Sequence, residues 1–229
     1  MNHEGRHHAE FAAQRERMVR EQIERRGVRD PRVLEAMRQT PRELFVMEKD
    51  RRRAYQDAPL LIGDGQTISQ PYVVALMAEA LRVGPEDKVL EVGLGSGYAT
   101  AVLCRLARSV CAVERRGALV ERAREALQRA GCANVRVMHA NGTLGCEAEA
   151  PFDAISVAAS GPEPPRALLE QLKIGGRLVM PVGGERGMQE LVRMTRTGER
   201  RWERECLGGV RFVPLVGEQG WPEARDHGS

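Results

Sequence analysis

From Lys88 onward the chain alternates between two patterns of apolar and polar residues. Short apolar runs stand at Val89-Leu90-Glu91-Val92, Val110-Cys111-Ala112-Val113, Val135-Arg136-Val137-Met138, Ala154-Ile155-Ser156-Val157 and Arg177-Leu178-Val179-Met180. Between them lie amphipathic stretches of about 10 to 14 residues, such as 117–130, with the spacing of helices. Runs of the first kind read as buried strands. Strand, helix, strand, helix in succession predicts a doubly wound, mostly parallel sheet covered on both faces, an α/β fold. After Gln189 the helical stretches stop. Two or three longer strand candidates extend from there to Val213, which predicts antiparallel strands added at one edge.

The chain before Lys88 is different. The first 55 residues read as helical, with apolar positions at Val33, Leu34 and Met37 and again at Leu44, Phe45 and Met47. Asp30-Pro31 predicts an N-cap followed by proline in the first turn. Residues 56–70 are rich in Gly, Asp and Thr and read as a loop. Pro71 opens a further helix to about Leu81, with Ser69 or Gln70 at its cap.

A chain of 229 residues suits one domain with a short extension. The net charge of +3 supplies no strong basic face for nucleic acid, and no apolar run approaches the roughly 20 residues needed to span a bilayer. The start, Met1 to Arg20, is rich in His, Arg and Glu and has no apolar stretch of a signal peptide; 1–16 reads as a disordered lead, with His3, His7 and His8 solvated. Arg51-Arg52-Arg53 reads as a solvated helix face. The five cysteines are odd in number and show no CxxC spacing, so neither a zinc site nor a disulfide framework is predicted. No metal site is expected, and a reducing cytoplasm is the natural compartment.

The sharpest local feature is Glu91-Val92-Gly93-Leu94-Gly95-Ser96-Gly97-Tyr98, which closes the first apolar run and opens a helix. Glycines there let the backbone turn tightly and approach a ligand. The spacing G-x-G-x-G departs from the dinucleotide pattern G-x-G-x-x-G, which argues against a nicotinamide-dependent oxidoreductase. The second run ends in Glu114, placed to accept hydrogen bonds from both hydroxyls of a ribose. Together these features resemble the signature of class I methyltransferases. The resemblance implies S-adenosyl-L-methionine as cofactor, held by Glu91, Gly93, Gly95, Ser96, Gly97, Tyr98, Glu114, Asn141 and Gly142. Asn141 stands where such enzymes usually carry an acid facing the adenine amino group; its side-chain carbonyl can still accept one bond.

Upstream, Gly63-Asp64-Gly65-Gln66-Thr67-Ile68-Ser69-Gln70-Pro71 is more specific. With Pro41-Arg42-Glu43-Leu44-Phe45-Val46, Ala150-Pro151-Phe152-Asp153-Ala154-Ile155, residues 171–179 and Val210-Arg211-Phe212-Val213-Pro214-Leu215, it closely resembles bacterial and archaeal protein-L-isoaspartate O-methyltransferases from about Met18 to Trp221. That resemblance implies a seven-stranded sheet with a rearranged strand order at its edge. It implies a domain over 17–222, with 17–70 as helical and substrate segment, 71–222 as core and 223–229 as tail. It also implies a monomer that methylates the carboxylate of L-isoaspartyl residues in damaged proteins and peptides, starting their repair through a succinimide. Ser69 matches the hydroxyl beside the substrate carboxylate, flanked by Thr67, Ile68 and Gln70. Leu60, Leu61 and Ile62 match the segment along the peptide, and Val213, Pro214 and Leu215 the far wall. A methyltransferase for another carboxylate, and a binding protein that has lost turnover, stay open beside it. An exposed carboxylate is ionised at neutral pH, with a pKa near about 4, so no general base is required. A nucleic-acid methyltransferase is disfavoured, since the Pro-Cys and Asn/Asp-Pro-Pro-Tyr motifs are missing.

Overall fold

The computed structural model describes residues 3–185 and 187–223. Its core is one seven-stranded sheet built from β3 (Lys88–Val92), β4 (Ser109–Glu114), β5 (Val135–His139), β6 (Phe152–Val157), β7 (Leu172–Val182), β8 (Gln189–Gly198) and β9 (Arg201–Val210). The order across the sheet is β5-β4-β3-β6-β7-β8-β9. The first five of these neighbours run parallel; β8 and β9 extend the edge as an antiparallel meander in chain order. The strands begin and end close to the apolar runs, except that β7 is longer than its run because it continues into the meander.

Side chains alternate along the central strands, so both faces are buried there, while β9 is mostly exposed. Val89, Ala112, Ala154, Val179 and Leu191 point to one face, against α2 (Pro31–Gln39), α3 (Pro71–Leu81), α4 (Tyr98–Cys104) and α5 (Gly117–Arg129). Leu90, Val92, Val113, Ile155, Val157 and Met180 point to the other, against α6 (Arg166–Glu170) and the segments around Cys146 and Leu215. Each fully buried leucine or isoleucine contributes about 1.5–3 kcal/mol.

The N-terminal region departs from its reading in three places. Residues 3–16 are not a disordered lead but part of α1 (His3–Met18). Phe11 provides the reason: its ring packs on Tyr55, centroids 6.3 Å apart, while Arg15 donates to the Tyr55 hydroxyl at 3.1 Å. Residues 1 and 2, and 224–229 of the expected tail, lie outside the described residues. The second departure is that 42–53 forms short 3₁₀ turns rather than a continuous helix. The third is that the expected loop 56–70 contains a hairpin, β1 (Leu60–Gly63) and β2 (Gln66–Ile68). Its tight turn uses Asp64 and Gly65, both at positive φ (51° and 68°), which the Asp-Gly pair favours. Leu60, Ile62 and Ile68 are buried beneath it. The predicted cap of α2 is present: an Asp30 carboxylate oxygen accepts from the backbone of Arg32 at 2.8 Å, with Pro31 in the first turn.

Candidate active site

The strand order brings the carboxyl ends of β4, β3 and β6 side by side, with β3 flanked by strands reached in opposite directions. Ligands of open α/β sheets bind outside such a switch point. A cleft of about 290 Å³ opens there.

One wall of the cleft is the turn between β3 and α4. Gly93 and Leu94 donate their backbone N–H groups to the Val113 carbonyl at 2.9 and 3.2 Å, which ties the turn to β4. Gly97 caps α4 at φ 86°, and a Cβ there would stand 3.3 Å from Leu127 and 3.4 Å from Ala123. Glycine lets the turn lie directly on α5. Glu114 ends β4 and is 7% exposed. One carboxylate oxygen accepts from Gly95 N and the other from Arg116 N, each at 3.0 Å. A carboxylate has about four acceptor sites, so two remain for a ligand carrying a vicinal diol.

Glu91 lies under the turn, fully buried and paired in register with Ser156 of β6. Thr100 of α4 donates to one of its oxygens, and the other has no partner among the described residues. Burial pushes its carboxyl up to about 8, against the smaller opposing effect of the Thr100 bond, so it stands as a neutral acid at pH 7.

The other wall comes from both ends of the chain. Thr67 and Ile68 end β2 and Ser69 follows it, and Val213, Pro214 and Leu215 follow β9. The latter are held by Ser160, whose N–H donates to Val213 O at 2.8 Å and whose carbonyl accepts from Leu215 N at 2.7 Å. Ser69 does not cap α3; the cap position is Gln70, with no side-chain bond. The Ser69 hydroxyl has no protein hydrogen bond among the described residues, while its carbonyl accepts from buried Arg42 at 2.8 Å.

Of the residues singled out in the sequence, Thr67, Ile68, Ser69, Glu91, Gly93, Gly95, Ser96, Tyr98, Glu114, Gly142, Val213, Pro214 and Leu215 line this cleft. Gly97 lies behind the turn. Leu60 and Ile62 are buried in the hairpin, with Ile62 reaching 3.6 Å from where a Gly95 Cβ would stand; Leu61 faces outward and is 64% exposed. Gln70 caps α3. Asn141 does not line the cleft: its Oδ1 accepts from Thr143 N at 3.1 Å and Thr143 Oγ1 at 2.9 Å, capping the turn at 142–144.

Ala158, Ala159, Arg116, Val216 and Pro222 also line the cleft, and sequence reading passed over them. Ala158 and Ala159 were open to inference, since they follow an apolar run that borders the switch point. Val216 and Pro222 carry no local signal.

The residues fit a bound adenosine-type ligand: a glycine turn for close approach, a diol acceptor with free capacity, and an apolar-sided cleft. Sheet topology and site together define a class I S-adenosylmethionine-dependent methyltransferase architecture. The family profile described as "Protein-L-isoaspartate(D-aspartate) O-methyltransferase (PCMT)" matches residues 13–220. The chain belongs to that family. It is 56% identical over 219 residues to Protein-L-isoaspartate O-methyltransferase 1 of Rhodopseudomonas palustris strain HaA2, covering 94% of this chain and 89% of the relative. It is 53% identical to the Protein-L-isoaspartate O-methyltransferase of Methanoregula boonei, covering 91% and 95%. Among solved structures, it is similar to a Plasmodium falciparum protein described as a protein-L-isoaspartate O-methyltransferase in complex with S-adenosyl-L-homocysteine. That match has TM-score 0.77 and 28% identity and covers 88% of this chain and 98% of that one.

Proposed function

We propose that the protein transfers a methyl group from S-adenosyl-L-methionine to the side-chain carboxylate of L-isoaspartyl residues in proteins and peptides, acting as a monomer in the cytoplasm. The observation that carries this reading is the convergence of Ser69 and Val213-Pro214-Leu215 on the cleft already formed by the glycine turn and Glu114. S-adenosylmethionine, when bound, supplies an electrophilic methyl on a positively charged sulfur. Everything else falls to the chain. Glu114 would accept from the ribose diol, and the backbone of the Gly93–Gly97 turn would hold the ligand. The free Ser69 hydroxyl donates to the incoming carboxylate and orients it. That carboxylate is already ionised, so no side chain is needed to remove a proton. Glu91, neutral beneath the turn, places no second negative charge in competition with it. Orientation of bound reactants lowers the barrier by as much as about 7–11 kcal/mol.

A methyl-acceptor assay with an isoaspartyl peptide and its normal aspartyl twin tests the reading. Transfer to the first alone is expected; equal transfer to both, or none, refutes the substrate assignment. Ser69→Ala is expected to lower kcat/KM about 10- to 100-fold without abolishing turnover, since one orienting hydrogen bond is lost. An unchanged rate removes Ser69 from its role.

A further inference from the structure

Arg42 is wholly buried, yet its charge is met by carbonyls and a ring rather than by a carboxylate. Its Nε donates to the carbonyl of Ala54 at 2.8 Å and its Nη2 to the carbonyl of Ser69 at 2.8 Å. The guanidinium lies 4.7 Å over the ring of Tyr98. Nη1 is buried without a partner among the described residues. As a device for stability this is poor, because an isolated buried cation with an unused donor costs more than an apolar side chain of the same length.

The three neighbours are informative. Ala54 belongs to the N-terminal layer. Ser69 carries the hydroxyl at the acceptor wall. Tyr98 follows Gly97 as the first residue of α4, directly behind the donor turn. One planar group with donors in a fixed fork therefore spans both walls of the cleft from behind, without lining it. Arginine suits this task better than lysine, since its planar fork aims separate N–H groups at the two carbonyls while its face lies over the ring, and an ammonium has no such plane.

We infer that Arg42 is a positioning residue for methyl transfer: by fixing the Ser69 backbone relative to Tyr98, it sets where the Ser69 hydroxyl stands against the donor side of the cleft. The inference rests on the reading of Ser69 given above.

Steady-state kinetics on an isoaspartyl peptide for Arg42→Lys, Ser69→Ala and the double variant tests it, with calorimetric titration of S-adenosylhomocysteine alongside. Arg42→Lys is expected to lower kcat/KM about tenfold or more, mainly through kcat, while the affinity for S-adenosylhomocysteine stays within about threefold. In the Ser69→Ala background the same change should cost less than about threefold, because no hydroxyl is left to aim. Additive losses overturn the inference, as does a loss in Arg42→Lys that merely tracks the unfolded fraction in a thermal melt. If Ser69→Ala alone has no effect, the reading of Ser69 fails first and this inference falls with it. That outcome differs from an effective Ser69→Ala with additive Arg42→Lys. Should Arg42→Lys not accumulate folded, Arg42→Gln, which buries no charge and keeps one amide donor, is put through the same cycle, with the same two outcomes deciding.

Discussion

The two walls of the cleft are built in opposite ways. The donor wall is local: β3, its glycine turn, α4 and β4 succeed one another along the chain, and Gly93, Leu94 and Gly95 are tied to Val113 and Glu114 by short bonds. The acceptor wall is assembled from Thr67-Ile68-Ser69, near the start of the chain and held by Arg42, and Val213-Pro214-Leu215, near its end and held by Ser160. The two walls thus divide the labour. Under the proposed function, methyl-donor binding would reside in a compact unit that any such sheet can carry. Acceptor recognition would reside in long-range packing, where small displacements of one segment would be felt at the reacting carboxylate.

The largest effect that would sharpen this contrast is expected from Glu114→Ala. Loss of charged hydrogen bonds should weaken binding of S-adenosylhomocysteine by about 1.5–3 kcal/mol, with peptide KM at saturating donor little changed. Equal affinity in a calorimetric titration would take Glu114 out of the donor wall. Gly220→Ala attacks the other side. A Cβ at Gly220 would meet the Leu215 carbonyl at 2.2 Å, so the closed loop carrying Leu215 must shift. Peptide KM is expected to rise about tenfold while donor affinity stays within about threefold, since strain of roughly 1–3 kcal/mol falls chiefly on the Leu215 carbonyl, with Thr143 met only at 3.3 Å. Parallel losses in both would erase the distinction.

Glu91 gives a pH test of the donor wall. Its carboxyl is raised from 4.5 to about 8 by burial, so the folded state holds a proton that the unfolded state releases across that interval. The stability contributed is fully present below pH 4.5 and is lost as pH rises through about 8. Glu91→Gln keeps the shape without the charge. Between pH 5 and 9 the parent protein should therefore lose on the order of 4 kcal/mol relative to the variant in denaturant unfolding. Superimposable pH profiles would mean Glu91 does not carry that proton. The smallest change is expected at Asn141. Substitution by Asp would be predicted from the sequence to tighten donor binding through a charged acceptor. Because its oxygen already serves Thr143 twice, Asn141→Asp should alter donor affinity by less than about threefold. A tenfold gain would place the side chain in direct contact after all.

Legibility divides along the same line. The β3 turn could be read because glycine spacing, the apolar run before it and Glu114 after it are all close in sequence, and backbone geometry makes their joint meaning nearly independent of the rest of the chain. The hairpin at 60–68 was missed because its strands are only four and three residues long; its Asp64-Gly65 turn was the available signal. The order of residues 3–16 within α1 was not legible because their polar sequence is held down by Phe11 and Arg15 meeting Tyr55, a contact between residues about 40 apart.

The amino-acid sequence by itself determined the alternating sheet, the glycine turn after β3 and the position of Glu114, and through family resemblance it singled out Ser69 and 213–215, which line one cleft. Periodicity and short-range backbone chemistry suffice for the first three. Only the tertiary structure decided that Arg42 reaches Ser69 from behind, that Asn141 spends its oxygen on Thr143, and that Val216 and Pro222 border the cleft. Those facts depend on which distant groups share a buried volume, where each donor must find whichever acceptor the packing leaves within reach.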